Sequence, residues 1–205
     1  GADTPGVVDG LTFLRSVKDG DLSLGGNVLV IGGGNVAIDG ARTALRLGPR
    51  EVTIVYRRTR NEMPAHDFEV HDAEEEGARL MFLASPLGVR QEGERYVLRL
   101  QRMQLGEPDE SGRRRPVPIP GDEFDMPAET ILAAIGQQAD LGFLPGTVRD
   151  RWQTLARGEA VQFNGQWLIG AGDVINGPTT VADAIGSGKQ AAARLDTLFR
   201  GAEQP

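Results

Sequence analysis

The sequence has no cysteine among its 205 residues. Disulfide bonds, thiolate zinc sites, iron–sulfur ligation and dithiol redox chemistry are therefore excluded within this chain. Long apolar runs are missing too: Asn27 to Ile31 and Thr130 to Ile135 have the length of strands, far below the roughly 20 residues of a membrane helix. No basic start precedes an apolar stretch, so no export signal is visible. We expect a cytoplasmic protein with no membrane partner.

Basic residues are fewer than acidic ones. The 22 basic and 29 acidic residues give a net charge of −7. A field of this sign argues against non-specific binding to nucleic acid, so no nucleic-acid partner is expected. A composition of 40% hydrophobic and 25% charged residues is that of a globular protein with a core. Without thiols, a redox function would need a bound organic cofactor to carry the electrons.

The order of apolar patterns along the chain predicts an α/β fold. Strand-length and helix-length patterns alternate from residue 27 onward, as βαβ units with a parallel sheet require. Shorter alternating segments between residues 86 and 128 predict an antiparallel β-meander, with residues 106–122 as its exposed tip. The fold class is thus a Rossmann-like doubly wound parallel sheet with a meander. The predicted helices cover residues 8–17, 35–47, 63–78 and 181–199, and the predicted strands outside the meander cover residues 27–32, 51–56, 80–85, 130–136 and 167–173.

A glycine-rich turn follows the first of these strands and has the spacing G-x-G-x-x-A. Gly32 permits a tight turn, Gly34 lets a pyrophosphate approach the backbone, and Ala37 lets the next helix pack close to the sheet. The N–H groups and the dipole of that helix would face the phosphates. A glycine turn that serves close packing alone remains the alternative. The candidate residues for the pyrophosphate are Gly32, Gly33, Gly34, Asn35, Val36 and Ala37.

The end of the second strand favours NADP(H) over NAD(H). NAD-selective folds place an acidic residue there to accept a hydrogen bond from the ribose 2′-hydroxyl, and this sequence has none at that place. Arg57 and Arg58 stand there instead, about 23 residues after the glycine turn, and guanidinium groups match phosphate oxygens in a bidentate way. With Arg60 they form a basic cluster on an acidic protein. The alternative is a solvated basic loop that balances the acidic helix after it.

A second turn with glycine and aspartate precedes the last helix. Asp173 would accept a hydrogen bond from a sugar-alcohol hydroxyl, and the N–H groups after Thr180 would face a partly negative cofactor oxygen. The alternative is a capped surface helix after a β-turn. The candidate residues in this turn are Gly172, Asp173, Thr179, Thr180 and Val181.

Other polar features predict no chemistry. His66 and His71 are five residues apart, which does not bring two imidazoles to one helix face, so no metal site is expected. The acidic residues around them fit a solvated helix face. Arg113, Arg114 and Arg115 fall in a loop bounded by glycine and proline and are expected to be exposed. No side chain is assigned as catalytic.

Four segments occur in this order: GGGNVAIDGARTALRLG, YRRTRNEMPAHDFEVHDAEEEG, AAIGQ and GAGDVINGPTTVADAIGSGKQAA. Together they resemble the NADPH- and FAD-binding small (beta) subunit of glutamate synthase and related NADPH:FAD oxidoreductases, including the matching part of dihydropyrimidine dehydrogenase. The resemblance implies NADP(H) and FAD as cofactors and an NADPH domain inserted into an FAD domain. Residues 1–25 would be a strip of the FAD domain with its first helix, residues 26–136 the NADP(H)-binding domain, and residues 137–205 the C-terminal part of the FAD domain.

The same resemblance implies roles for individual residues and for partners. Ala134, Ile135 and Gly136 would line the return strand toward the FAD domain, and Asp173 would bind the ribityl chain of the flavin. The helix after Thr180 would stabilise charge on the reduced flavin ring. Hydride would pass from nicotinamide C4 to flavin N5. The electrons would leave to a partner subunit or domain that carries iron–sulfur centres or resembles the large subunit of glutamate synthase.

Two departures from the family pattern predict that the chain is the C-terminal portion of a longer protein. A separate G-x-G-x-x-G fingerprint for FAD and a cysteine-rich segment are both absent, and the first residue is Gly1 rather than Met. The FAD site of this fragment is therefore expected to be incomplete, and the fragment alone to be inactive as an enzyme. A non-catalytic NADP(H)-sensing module is the alternative function. A thioredoxin-reductase-like disulfide reductase is excluded, because it would need cysteines in the NADPH domain.

Overall fold

A computed structural model describes residues 4, 6–20, 22 and 24–202. The chain divides into two compact units between Gly136 and Gln137. In the described part of the chain, no helix is long and apolar enough to cross a membrane. In chain order, the first unit contains β1 (Val7–Asp9), α1 (Gly10–Lys18), β2 (Asn27–Ile31), α2 (Asn35–Arg46), β3 (Glu51–Tyr56), a 3₁₀ turn (Arg60–Glu62), α3 (Asp67–Glu75), β4 (Arg79–Phe82), β5 (Ala84–Glu92), β6 (Arg95–Pro108), β7 (Arg114–Ala128) and β8 (Thr130–Ala133).

Five strands of the first unit form a parallel sheet in the order β1-β8-β2-β3-β4. Ile31 at the end of β2 pairs with Val55 of β3 on one side and with Ala133 of β8 on the other. After β2 the chain therefore continues to β3 on one side of that strand, and it returns later to β8 on the other side. This reversal of strand order is where α/β sheets form their ligand-binding crevices, at the carboxyl ends of the strands.

The two faces of the sheet are covered by different layers. Alternate residues of a strand point to opposite faces, so Val28 and Val30 pack with the helices α1, α2 and α3. Leu29 and Ile31 pack on the other face against β6 of the meander. Both faces are buried, which is why the sequence of β2 is almost continuously apolar.

The meander is an antiparallel sheet in the order β5-β6-β7. The predicted fold class of a parallel sheet with an antiparallel meander is thus confirmed. The meander, rather than further helices, covers the second face of the sheet. The predicted strand at residues 80–85 divides at Leu83, whose φ of 56° turns the chain from β4 into β5. Residues 106–122, expected to form an exposed loop, are mostly strand, and only residues 109–113 make the connection between β6 and β7.

Two other boundaries differ from the sequence prediction for local reasons. Residues 7–9 form a strand that pairs with β8, and the Asp9 carboxylate then accepts a hydrogen bond from the Thr12 N–H at 2.9 Å to start α1. The predicted helix at residues 63–78 begins only at Asp67. The reason is that the Ala65 N–H donates to the Gly33 carbonyl at 3.1 Å and ties the preceding segment to the glycine turn.

The second unit is small. Its elements are α4 (Gly146–Arg149), α5 (Trp152–Ala156), β9 (Val161–Phe163), β10 (Gln166–Leu168), α6 (Asp173–Asn176) and α7 (Val181–Ala202). Val148, Leu155 and Val161 form its buried core. The predicted long helix agrees with α7, whereas the predicted strand at residues 167–173 ends at Leu168 in an antiparallel hairpin with β9.

The structure places β1 and α1 in the first unit, with the parallel sheet. The assignment of residues 1–25 and 137–205 to an incomplete FAD domain stays a prediction.

Candidate nucleotide-binding site

A cleft of about 500 Å³ lies in the first unit at the carboxyl ends of β2, β3 and β8. It occupies the place where the strand order reverses, which is the usual ligand position in such sheets. Eight of the predicted site residues meet in it. The lining residues are Ile31, Gly32, Gly33, Gly34, Val55, Tyr56, Arg57, Arg58, Pro64, Ala84, Ser85, Pro86, Arg113, Ala134, Ile135 and Gly136.

Two glycines of the turn are required by the packing of the protein itself. Gly32 has a φ of 144°, and a Cβ added to it would lie 2.2 Å from the carbonyl oxygen of Ala134. A Cβ added to Gly33 would lie 2.5 Å from the ring of Tyr56. No side chain fits at such distances, so these two positions hold the turn against its neighbours.

Gly34 differs from both, because the protein leaves room beside it. The nearest heavy atom to a Cβ added there is Cγ of Pro64, at 3.7 Å. Its φ of −95° and ψ of 178° are extended values that any residue adopts. Neither packing nor backbone conformation therefore explains this glycine, and a ligand that occupies the space of the Cβ would.

The first turn of α2 follows directly. Among the residues that the structure describes, no side chain caps this helix end. Its first turn contains no acidic residue, so its positive dipole is not neutralised locally. The N–H groups of Ala37 and Ile38 both donate to the Gly34 carbonyl. Asn35 is exposed, Val36 is half-buried and Ala37 is fully buried in the core between helix and sheet. These three residues flank the cleft without lining it.

The predicted arginines occupy different environments. Arg57 is exposed at the cleft, whereas only 4% of the Arg58 surface is exposed. Nη2 of Arg58 donates to Oδ2 of Asp109 at 2.6 Å, and its buried Nε has no hydrogen-bond partner among the residues that the structure describes. The third arginine of the predicted cluster, Arg60, forms an ion pair with Glu74 of α3 and does not line the cleft.

The loop that carries these arginines is held by its own hydrogen bonds. The Tyr56 hydroxyl donates to the Glu62 carbonyl at 2.6 Å. The Glu62 carboxylate accepts from both the N–H and the hydroxyl of Thr59, which is a capping box around the 3₁₀ turn. The position of Arg57 and Arg58 is therefore fixed from both sides.

The third side of the cleft comes from the segment after β8. The Ala134 N–H donates to the Ile31 carbonyl at 2.8 Å, which joins this segment to the glycine turn. Ile135 is 72% exposed, an unusual value for a large apolar side chain. It lies with Ala134 and Gly136 in the lining of the cleft.

Sequence reasoning missed several lining residues. Arg113 was expected to be exposed with Arg114 and Arg115, but it is half-buried and lines the cleft, whereas its two neighbours are exposed. The charge of Arg113 was visible in the sequence, but its position depends on a hairpin that folds back over the cleft. The other missed lining residues are Ile31, Val55, Tyr56, Pro64, Ala84, Ser85 and Pro86.

In the second unit the candidate residues lie at the starts of α6 and α7. The Asp173 Oδ1 accepts hydrogen bonds from the N–H of Thr179 at 3.3 Å and from its hydroxyl at 3.0 Å. The Thr180 hydroxyl donates to Asp183 at 2.6 Å, and the Asp183 N–H donates back to it, at the start of α7. Gly172 has a φ of 71°, and its N–H donates to Ser187 at 3.0 Å.

The structure does not bring these residues into one cleft. Thr179 lines a cleft of about 620 Å³ with residues of α7, and Asp173 lines a separate one of about 440 Å³ that includes Trp152. Thr180 and Val181 are exposed and line neither. Among the described residues, no group of three or more histidine, aspartate or glutamate side chains is arranged to hold a metal.

The fold and the cleft define an α/β protein with a crevice at the carboxyl ends of its parallel strands. The sequence pattern of the family described as "Pyridine nucleotide-disulphide oxidoreductase" matches residues 2–188. The chain belongs to this family. It has no cysteine, so the disulphide chemistry in the family's description has no thiol in this chain.

Similar proteins include two bacterial subunits. The NADP(+)-dependent formate dehydrogenase subunit beta of Moorella thermoacetica is 45% identical over 200 residues, which cover 95% of this chain and 28% of that subunit. A protein of Cereibacter sphaeroides, provisionally named a glutamate synthase [NADPH] small chain, is 35% identical over 212 residues. The match covers 95% of this chain and 51% of that protein. The chain thus spans about a quarter to a half of the length of these relatives.

Among solved structures, the fold is similar to that of Mycobacterium tuberculosis FprA in complex with NADPH. The TM-score is 0.66 at 21% identity, and the match covers 99% of this chain and 61% of that one. A likeness at this identity supports the α/β fold class. The predicted cofactors, NADP(H) and FAD, agree with the family to which the chain belongs.

Proposed function

We propose that this chain is the NADPH-binding part of a flavin-dependent oxidoreductase. It would bind NADPH in the cleft of the first unit, with the pyrophosphate at the glycine turn and the 2′-phosphate at Arg57 and Arg58. Its relatives carry names that include NADP(+) and NADPH, which supports the choice of nucleotide. The glutamate synthase small subunit is the most specific assignment we propose for the full-length protein.

One observation carries this proposal: a space beside Gly34, next to an uncapped helix end, in a cleft that also contains the predicted arginines Arg57 and Arg58. The free space fits a group that needs to approach the backbone closely. The N–H groups at the start of α2 would donate to pyrophosphate oxygens, and the helix dipole would stabilise their charge. A pyridine dinucleotide with a 2′-phosphate matches the spacing from the glycine turn to the end of β3.

In this proposal the residues of the chain bind and orient, and the cofactors carry the chemistry. When bound, NADPH would supply a hydride and FAD would accept it. Gly32 and Gly33 hold the turn in place. Tyr56 and the Thr59–Glu62 capping box keep the arginine loop, residues 57–60, at the cleft. No side chain is needed to move a proton in the hydride step, so no catalytic residue is assigned.

The second unit would contribute to the flavin site of the longer protein. Asp173 is exposed and engages Thr179 through Oδ1, so Oδ2 would accept a hydrogen bond from the ribityl chain. The exposed residues Thr180 and Val181 would place the start of α7 near the flavin ring. Electrons would then pass to an iron–sulfur domain or a large subunit in a cytoplasmic complex.

Replacing Arg57 with glutamine tests the nucleotide assignment. Arg57 is exposed, so this change should not disturb folding, whereas Arg58 is buried against Asp109. Loss of one charge-assisted contact to the 2′-phosphate is expected to weaken NADPH binding by about tenfold and to leave NADH binding unchanged. Isothermal titration with both nucleotides measures this, with Arg15→Gln on α1 as the control. An equal loss for both nucleotides would rule out a 2′-phosphate contact.

The chain alone is expected to bind NADP(H) but to retain little flavin. Its five flavin-site candidates do not meet in one cleft, and the candidates Asp173 and Thr179 line separate ones. Absorbance at flavin wavelengths after gel filtration with excess FAD measures the stoichiometry. A stoichiometric yellow complex would contradict the predicted incompleteness of the FAD site.

A further inference from the structure

The hairpin tip, residues 109–113 between β6 and β7, is an ordered turn. The Gly112 N–H donates to the Asp109 carbonyl at 2.9 Å, and the Asp109 N–H donates to the Arg113 carbonyl at 2.8 Å. The Ser111 N–H donates to Oδ1 of Asp109 at 2.9 Å, and Nε of Arg113 donates to the Ser111 hydroxyl at the same distance. The side chains of Asp109 and Arg113 are therefore held on one small framework.

Asp109 docks this hairpin tip onto the arginine loop. Its Oδ2 accepts the hydrogen bond from Nη2 of the buried Arg58, 51 residues earlier in the chain. The hydrogen bond from the Ser111 hydroxyl, followed by further contacts that include the charge of Arg58, lowers the pKa of Asp109 below its ordinary value. Asp109 is therefore a carboxylate at neutral pH, and the ion pair with Arg58 persists there.

The docked tip brings a third arginine to the cleft. Arg57, Arg58 and Arg113 are the charged side chains among its described lining residues. Nε of Arg58 is buried without a partner there, so this site contains an unused charged donor. The side chain of Arg113 donates through Nε to Ser111. Its Nη1 and Nη2 make no hydrogen bond among the described residues.

We propose that Arg113 is a specificity-determining ligand of the NADPH 2′-phosphate and that Asp109 positions the hairpin tip for this role. The inference rests on the proposed function, since it adds a third ligand to the nucleotide site. Three guanidinium groups and one carboxylate leave a net charge of two positive. This charge matches a phosphate monoester, which carries about −1.5 to −2 at neutral pH. The negative charge of Asp109 would thus offset part of the repulsion among the three arginines before the nucleotide binds.

A pair of small nucleotides isolates the 2′-phosphate. Adenosine 2′,5′-bisphosphate and 5′-AMP differ in that group alone. Isothermal titration measures the dissociation constant of 5′-AMP divided by that of the bisphosphate. Arg113→Gln is expected to reduce this ratio by about tenfold through the affinity for the bisphosphate. Arg115→Gln is the matched control, because Arg115 is an exposed neighbour that does not line the cleft, and the ratio should stay within about twofold.

The position of the hairpin tip at the 2′-phosphate is tested on the native chain, which avoids any folding defect of a variant. Amide chemical shifts of residues 109–113 should change on addition of adenosine 2′,5′-bisphosphate and stay unchanged with 5′-AMP. Unchanged shifts with both ligands, or equal ratios for Arg113→Gln and Arg115→Gln, would overturn the role of the hairpin tip while NADPH binding by the native chain remained. If the native chain binds neither NADPH nor the bisphosphate, the proposed function fails together with this inference.

Discussion

Replacing Gly34 with alanine is expected to remove most NADPH affinity and to leave the fold intact. The added methyl group would lie 3.7 Å from its nearest protein neighbour, which is ordinary van der Waals contact, and the backbone conformation suits any residue. The free energy of unfolding should therefore change by less than about 1 kcal/mol, the range of a Gly to Ala change at a helix N-cap. The same methyl group would occupy the space that the pyrophosphate needs.

The loss is measured by titrating NADPH into the native and Gly34→Ala chains under the same conditions. We expect the dissociation constant to rise by about a hundredfold, which corresponds to the loss of about 3 kcal/mol of binding free energy. NADH should be affected to the same extent, because both nucleotides contain the pyrophosphate. If Gly34→Ala bound NADPH as the native chain does, the pyrophosphate would not lie at this turn.

Replacing Gly32, two residues earlier, is expected to have the opposite result. Here an added Cβ would lie 2.2 Å from the backbone carbonyl oxygen of Ala134, and the φ of 144° disfavours any L side chain. The contact joins the ends of β2 and β8, so relief of the clash requires movement of two sheet strands. Strain and overpacking together predict a loss of about 3 kcal/mol or more in the free energy of unfolding.

Urea unfolding of the Gly32→Ala chain, followed by far-ultraviolet circular dichroism, measures this loss. Gly34→Ala is its matched control, because both variants add one methyl group to the same turn. A midpoint for Gly32→Ala equal to that of the control would show that the turn is not packed against Ala134 as described.

The parallel sheet and the glycine turn could be predicted because their signals are local. β2 is buried on both faces, so its sequence is almost continuously apolar, and the helix period of α2 follows after a short turn. The three strands that surround the cleft begin at the predicted residues, although β8 ends at Ala133 rather than at residue 136, and eight candidate residues meet there. Periodicity and turn chemistry are sufficient where each element is determined by its own residues.

The hairpin tip could not be predicted in this way. Its position depends on the contact between Asp109 and Arg58, which are 51 residues apart, and a single sequence does not indicate such pairs. The prolines after Arg115 also favoured a loop. Pro116, Pro118 and Pro120 stand at alternate positions near the start of β7, an edge strand, where a missing N–H on the outward side costs no ladder hydrogen bond. The role of Arg113 therefore became visible only with the fold.

The second unit was predicted less well because its elements are short. Strands of three residues and helices of four or five residues fall below the length at which periodicity is informative. Only α7 was long enough for its pattern to be recognised. The turn that contains Gly172 and Asp173 was identified from its residue types, but its division between two clefts depends on how α6 and α7 pack.

The most direct test of the NADPH assignment compares NADPH and NADH on the native chain by isothermal titration at one ionic strength. The two ligands differ only in the 2′-phosphate. The dissociation constant of NADH divided by that of NADPH therefore reports the contacts to this phosphate alone. We predict that NADPH binds at least about tenfold more tightly than NADH. Equal affinities, or tighter binding of NADH, would contradict it.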